Sequence, residues 1–242
     1  MSRIRLAVTA VAAMALGAGC VDTTPPADSS DAARSALIIV DMQYDFLPGG
    51  ALATKGGDQI IPLINQLQPA FDLVVATQDW HPADHGSFAS QHAGKAPGEV
   101  IDLNGLEQVL WPDHAVQETR GAELADALDQ HRIARVFQKG TDPTVDSYSG
   151  FFDNGQRGST GLSDYLLEQG VTRVAVVGLA LDYCVKYTAL DARRVGFDTT
   201  LIRDASRAVN LKPDDGNLAI AQMRGAGVKI VDANTLIEAV AE

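Results

Sequence analysis

Short apolar runs recur along the chain, separated by stretches in which apolar and polar residues mix at helical spacing. The runs from Ala36 to Asp41, Leu73 to Thr77, Ala134 to Phe137, Arg173 to Val177, Thr199 to Ile202 and Val228 to Val231 are rich in Val, Ile and Leu and predict strands. The stretches from Asp58 to Gln68, Ala122 to Gln130, Leu162 to Glu168, Asp182 to Arg194, Pro213 to Arg224 and Thr235 to Ala241 predict helices. Leu37-Ile38-Ile39-Val40 does not alternate, which marks a strand covered on both faces. Gly170 and Gly196 follow predicted helices and Pro213 suits the first turn of one. The expected fold class is α/β: three layers, α/β/α, around a mainly parallel six-stranded sheet.

Two segments break this rhythm. Residues 78–117 form one long connection, and loops of that length in a compact domain usually carry function. At the start, Met1-Ser-Arg-Ile-Arg5 leads into an apolar stretch from Leu6 to Ala18 and then Gly19-Cys20, the layout of an export signal with a lipoprotein-type processing site. Cleavage after Ala15 or Ala18 is the plainer alternative. Residues 1–20 are therefore expected to be a signal peptide, 21–35 (Thr, Pro, Ala, Ser and Asp) a flexible linker, and 36–242 one domain. The expected location is the periplasm or cell envelope, with a lipid on Cys20 as the link to the membrane.

The formal charge of −12, from 31 acidic against 19 basic residues, argues against a nucleic-acid partner. With Cys20 acylated, Cys184 has no partner for a disulfide, since the chain holds only 2 cysteines.

Candidate chemistry gathers where predicted strands end, because ligands of open α/β sheets collect at the carboxyl edge. Asp41 closes the first strand, Lys139 follows the third, and Cys184 lies where the fourth gives way to a helix. Asp41 could take the thiol proton, Lys139 could stabilise thiolate and carboxylate, and backbone N–H groups near Cys184 could bind an oxyanion. Taken singly, each has a plain structural reading: turn cap, solvated strand end, buried apolar thiol. The long connection adds a second set. Four of the 5 histidines (His81, His85, His92, His114) and both tryptophans lie there. Asp79 and His81 point to one side of an extended stretch, and His114 can close a site from the loop's other arm, leaving open positions on a divalent ion such as Zn, Fe or Mn. His92 and His131 read as bystanders.

Ile39-Val-Asp-Met-Gln-Tyr-Asp-Phe46, Gln78-Asp-Trp-His-Pro-Ala-Asp-His-Gly-Ser-Phe-Ala-Ser-Gln-His92, Trp111-Pro-Asp-His114, Phe137-Gln-Lys-Gly140, Val145-Asp-Ser-Tyr-Ser-Gly-Phe-Phe-Asp-Asn154 and Gly178-Leu-Ala-Leu-Asp-Tyr-Cys-Val-Lys186 together resemble the nicotinamidases, isochorismatase-like cysteine hydrolases, from Ala36 to about Ala233. The resemblance implies hydrolysis of nicotinamide to nicotinate and ammonia through a Cys184 thioester, in NAD salvage. It implies Asp41 as base, Lys139 as its cationic partner and Cys184 as nucleophile. It also implies a cis peptide before Ala180, with the amides of Ala180 and Cys184 as the oxyanion hole. One divalent metal ion would be held by Asp79, His81 and His114, with Ser87 or His85 as a further contact. Phe46 and Trp111 would wall the ring. Tyr44 and Leu181 stand where the family more usually has Asn and Thr. The alternatives are another carboxamide or ureido amidase of the same superfamily, or an envelope protein that binds a pyridine or metal without chemistry. The oligomeric state is left open.

Overall fold

The structure, a computed structural model, describes residues 33–235. The leader, Cys20 and most of the linker lie outside the described residues, as does the helix expected at Thr235 to Ala241 from Leu236 onward.

Strands β1 (Arg34–Val40), β2 (Leu73–Asp79), β5 (Ile133–Lys139), β6 (Val171–Leu179), β7 (Asp198–Arg207) and β8 (Lys229–Val231) form one sheet in the order β5-β2-β1-β6-β7-β8, and every pairing in it is parallel. Parallel neighbours need crossovers, and helices α1 (Ile61–Leu67), α2 (Leu162–Glu168), α3 (Lys186–Arg194) and α4 (Asp215–Gly225) supply covering layers. The non-alternating β1 shows why both faces had to be apolar. Ile38 and Val40 pack with Leu162, Ala189 and Met223 of α2, α3 and α4, whereas Leu37 and Ile39 pack with Ile61, Ile64 and Leu67 of α1 on the other face. A three-layer α/β/α architecture around a six-stranded parallel sheet results.

The stretch expected to be helical from Ala122 to Gln130 is not. Its Ala122, Leu124, Ala125 and Leu128 are buried beside α1, but its backbone is spoken for by other segments. The Ala125 N–H donates to Met42 O at 2.8 Å, while the carbonyls of Ala122 and Asp129 accept side-chain amides of Gln43 and Gln68 at 2.8 Å. Tertiary hydrogen bonds thus replaced the local ladder that helical spacing alone would favour. The long connection holds an antiparallel hairpin, β3 (Val100–Leu103) and β4 (Leu106–Val109), turned by Asn104 and Gly105, both at positive φ.

The parallel sheet places the carboxyl ends of β1, β2, β5 and β6 side by side. Gly178 is what lets β6 lie close there, since a Cβ on it would sit 2.1 Å from Val40 O.

Candidate active site

Each of these strand ends delivers one reactive group. Asp41 follows the last residue of β1 in the left-handed region (φ 47), a conformation that turns the chain out of the sheet and costs an L-residue free energy. Its carboxylate is fully buried. Asp41 Oδ1 accepts the Thr77 hydroxyl at 2.6 Å and Oδ2 lies 2.9 Å from Lys139 Nζ. Lys139 ends β5 directly opposite Asp79, the last residue of β2. Its ammonium donates to Asp79 Oδ1 at 2.5 Å and to Ser147 O at 2.9 Å, and stands 3.5 Å from Cys184 Sγ. Cys184 sits in the turn Leu181–Val185 between β6 and α3, widened to π spacing by a Val185 N–H to Ala180 O bond of 3.1 Å. The Leu179–Ala180 peptide before it is cis, as the resemblance implied.

Burial fixes the proton affinities. Desolvation pushes Asp41 up to about 6, against the pull of Lys139. Burial also pushes the Cys184 thiol well above its ordinary value, with Lys139 opposing. Burial alone would lower the proton affinity of Lys139, but the Asp41 and Asp79 carboxylates raise it well above its ordinary value and hold it charged. The resting arrangement is thus a neutral thiol beside a buried base poised close to neutrality, bridged by a cation.

The second set meets the first through Asp79. Its other oxygen, Oδ2, faces His81 Nε2 at 3.6 Å and His114 Nε2 at 3.8 Å, and one donor atom from each of the three residues falls within 4.8 Å of the others. His81 Nδ1 donates to Gly140 O at 2.9 Å and His114 Nδ1 to Pro112 O at 2.7 Å. Those carbonyls require the proton on Nδ1, so both Nε2 lone pairs turn inward toward the carboxylate. Gly140 has positive φ (64), and a Cβ there would lie 2.3 Å from His81 Cε1, so glycine is needed for the ring to seat. One carboxylate oxygen and two imidazole nitrogens fit a divalent transition ion with open positions. Burial and then His81 lower His114 to about 4, keeping it neutral. His81 moves the other way, because Asp79 outweighs the effect of burial. Asp79 is held well below the usual carboxylate range: burial would raise it, but Lys139 and the histidines prevail.

Cys184 of the first set and all three residues of the second reach one cleft. Asp79, His81, His114, Ala180 and Cys184 line it, and the expected walls Phe46 and Trp111 face it. Ser87 turns its hydroxyl onto His85 Nδ1, 2.7 Å away. The His85 ring lies 4.3 Å from that of His81, and its buried Nε2 has no hydrogen-bond partner among the described residues. His92 is occupied by Gly86 O and His131 is exposed, in keeping with bystanders. Tyr44 faces away, stacked under Arg120, and Leu181 is buried in the core under α4. Neither departure from the family pattern alters the cleft's lining.

Several further residues complete the site. Tyr148 and Tyr183 complete the aromatic wall, with Trp111 4.8 Å from Tyr183 and its Nε1 donating to Tyr148 Oη at 3.1 Å. Leu52, Asp146 and Val209 also line the cleft. Thr77 and Gln43 act behind the first layer. A polar Gln43 beside an otherwise apolar strand end was the available signal for one of them, while Thr77 looked like an ordinary strand residue.

The isochorismatase domain family matches residues 35–235. The chain is similar to the nicotinamidase of Escherichia coli K12, 49% identical over 199 residues that span 81% of this chain and 93% of that one. Among solved structures it is similar to the Acinetobacter baumanii nicotinamidase/pyrazinamidase (44% identity, TM-score 0.82, 84% of this chain and 98% of the other). It is also similar to the Pyrococcus horikoshii pyrazinamidase in complex with zinc (40% identity, TM-score 0.67, 82% and 99%).

Proposed function

The chain belongs to the isochorismatase-domain family, and on that footing we propose that its cleft hydrolyses nicotinamide to nicotinate and ammonia, a step of NAD salvage. The observation that carries this reading is one aromatic-walled cleft lined by a thiol and a three-residue donor set, with the buried Asp41 and Lys139 behind the thiol. A thiol with Asp41 and Lys139 alone would serve any small carboxamide. The donor set and the aromatic walls single out a flat ring bearing a basic nitrogen.

In this mechanism Phe46 and Trp111 hold the ring so that its carboxamide carbon meets Cys184 Sγ. Asp41 accepts the thiol proton as sulfur attacks, and Lys139 balances the charge that passes between them. The N–H groups of Ala180 and Cys184 receive the oxyanion. Asp41 returns the proton to the departing nitrogen, the C–N bond breaks, and ammonia leaves a nicotinoyl thioester on Cys184. Water then enters, gives a proton to Asp41 and its oxygen to the carbonyl carbon. The C–S bond breaks, and sulfur recovers the proton. A divalent cation held by Asp79, His81 and His114 would supply an electron-pair acceptor for the pyridine nitrogen, directly or through water; zinc, iron and manganese all suit the donors. Ser87 or His85, bonded to each other beside His81, would offer the further contact to that cation, directly or through water.

Ammonia release from nicotinamide by the purified protein, with and without chelator, tests the reading. No release under either condition would sink it. Metal-free protein that ignores nicotinamide but cleaves carbamoyl compounds would favour the other amidases of the superfamily. The leader motivates a second proposal: Cys20 is acylated after export, and the domain works at the cell envelope on a lipid tether. Loss of membrane association in Cys20→Ser cells is the expected result, and an unchanged membrane fraction would contradict it.

A further inference from the structure

β1 pairs with β2 only as far as Ile39 opposite Ala76, because the chain leaves the sheet at Asp41. β2 nevertheless runs on to Asp79. On its β1 side the backbone of Asp79 therefore meets no strand, and a buried peptide group left unpaired is destabilising. The side chain of Gln43 fills that place. Its Oε1 accepts the Asp79 N–H at 2.8 Å, and its Nε2 donates to Asp79 O and to Ala122 O, both at 2.8 Å. Gln43 is fully buried. One primary amide thus copies a peptide unit of the strand that turned away, while on the opposite side Trp80 N–H bonds Lys139 O at 2.9 Å and ties the next residue to β5.

We infer that Gln43 is a positioning residue of the metal centre: by fixing the Asp79 backbone it sets one carboxylate oxygen on Lys139 and the other between His81 and His114. This rests on the reading of Asp79, His81 and His114 as metal ligands. Asp79 is the only one of the three that also touches the Lys139 cation, so rotation of its backbone would disturb both halves of the cleft. A glycine-like freedom at this point would let the carboxylate follow Lys139 and leave the histidines. Gln43 removes that freedom without itself entering the cleft.

The full chain carrying Gln43→Met keeps the side-chain bulk and loses all three bonds. Gln43→Glu keeps an acceptor for the Asp79 N–H and loses both donors, which provides a second variant should Gln43→Met fail to fold. Gln68→Met is the control, because Gln68 is equally buried and donates to Asp129 O at 2.8 Å, beside α1 and away from the cleft. Zinc affinity is measured by competition with a fluorescent chelator at fixed pH, and stability by urea unfolding. Gln43→Met should bind zinc about 10–100-fold more weakly, the range for loss of a group that orients a ligand, and Gln43→Glu, whose second oxygen would face the Asp79 and Ala122 carbonyls, should also bind more weakly than wild type. Gln68→Met should lose stability but keep wild-type zinc affinity. Wild-type affinity in both Gln43 variants, or an equal loss in Gln68→Met, would overturn the inference alone. A wild type that takes up no zinc would overturn the metal assignment and this inference with it.

Discussion

At Asp41 burial and function pull on the same proton. A carboxylate raised to about 6 by desolvation is ionised at neutral pH yet close enough to accept and return a proton within one turnover. The sign of its pH effect follows: below about 6 the base is already protonated and cannot take the thiol proton. A pH profile of kcat/KM should therefore fall on the acid side with an apparent value near 6, and a flat profile down to pH 5 would exclude Asp41 as base. Thr77 bonds the ionised form, so Thr77→Val should move that limb upward by up to about one pH unit, equivalent to about 1.4 kcal/mol. Cys184→Ala, read by ammonia release, should lower turnover by at least about 10⁴-fold, as loss of a covalent nucleophile does. Asp41, Lys139 and Cys184 were legible as residue types at strand ends. Thr77 was not, because a threonine in a strand announces nothing until its neighbour across the sheet is known.

Strand ends and the turns after them decide what the residues can do together. β2 contributes Asp79 and β5 contributes Lys139 in direct register, which is why the shared carboxylate can serve both sets. The turn after β5 then contributes Gly140, whose carbonyl holds His81 and whose missing side chain makes room for it. Gly140→Ala should displace the ring and weaken metal binding about 10-fold or more, measured by chelator competition, with an added cost of about 1–2 kcal/mol for an L-residue at positive φ. Gly178→Ala is expected to act on the fold instead. Its Cβ would meet the Val40 carbonyl between the two central strands, and a loss above about 3 kcal/mol in urea unfolding should follow. The failure at Ala122 to Gln130 belongs to this scale. Apolar spacing there reported correctly that one face is buried, but the amides of Gln43 and Gln68 claim its carbonyls, and no sequence window contains both partners.

For the molecule as a whole, the donor set links folding to metal. Any ion bound only by the folded state adds stability by mass action, about 2.7 kcal/mol when free ion is 100 times the dissociation constant. Chelation should accordingly lower the melting temperature, and equal melting curves with and without chelator would argue against a bound ion. Asp79 raises the proton affinity of His81 against the effect of burial, and a metal needs the inward nitrogen free of a proton, so zinc affinity should weaken as pH falls, a direction that titrations at two pH values can check. The order of apolar runs and helical stretches sufficed to determine the α/β class, the parallel six-stranded sheet and the strand ends as the place of chemistry, because those follow from local periodicity and from burial on both faces. The motifs around Asp41, Asp79 and Cys184 also carried the family and the reaction class. Only the tertiary structure decided that Asp79 would join the two sets, that Tyr148 and Tyr183 would finish the wall, and that Gln43 would stand in for a missing strand. Those outcomes depend on register and on hydrogen bonds between segments 36 to 79 residues apart in the chain, distances over which composition and spacing carry no information about contact.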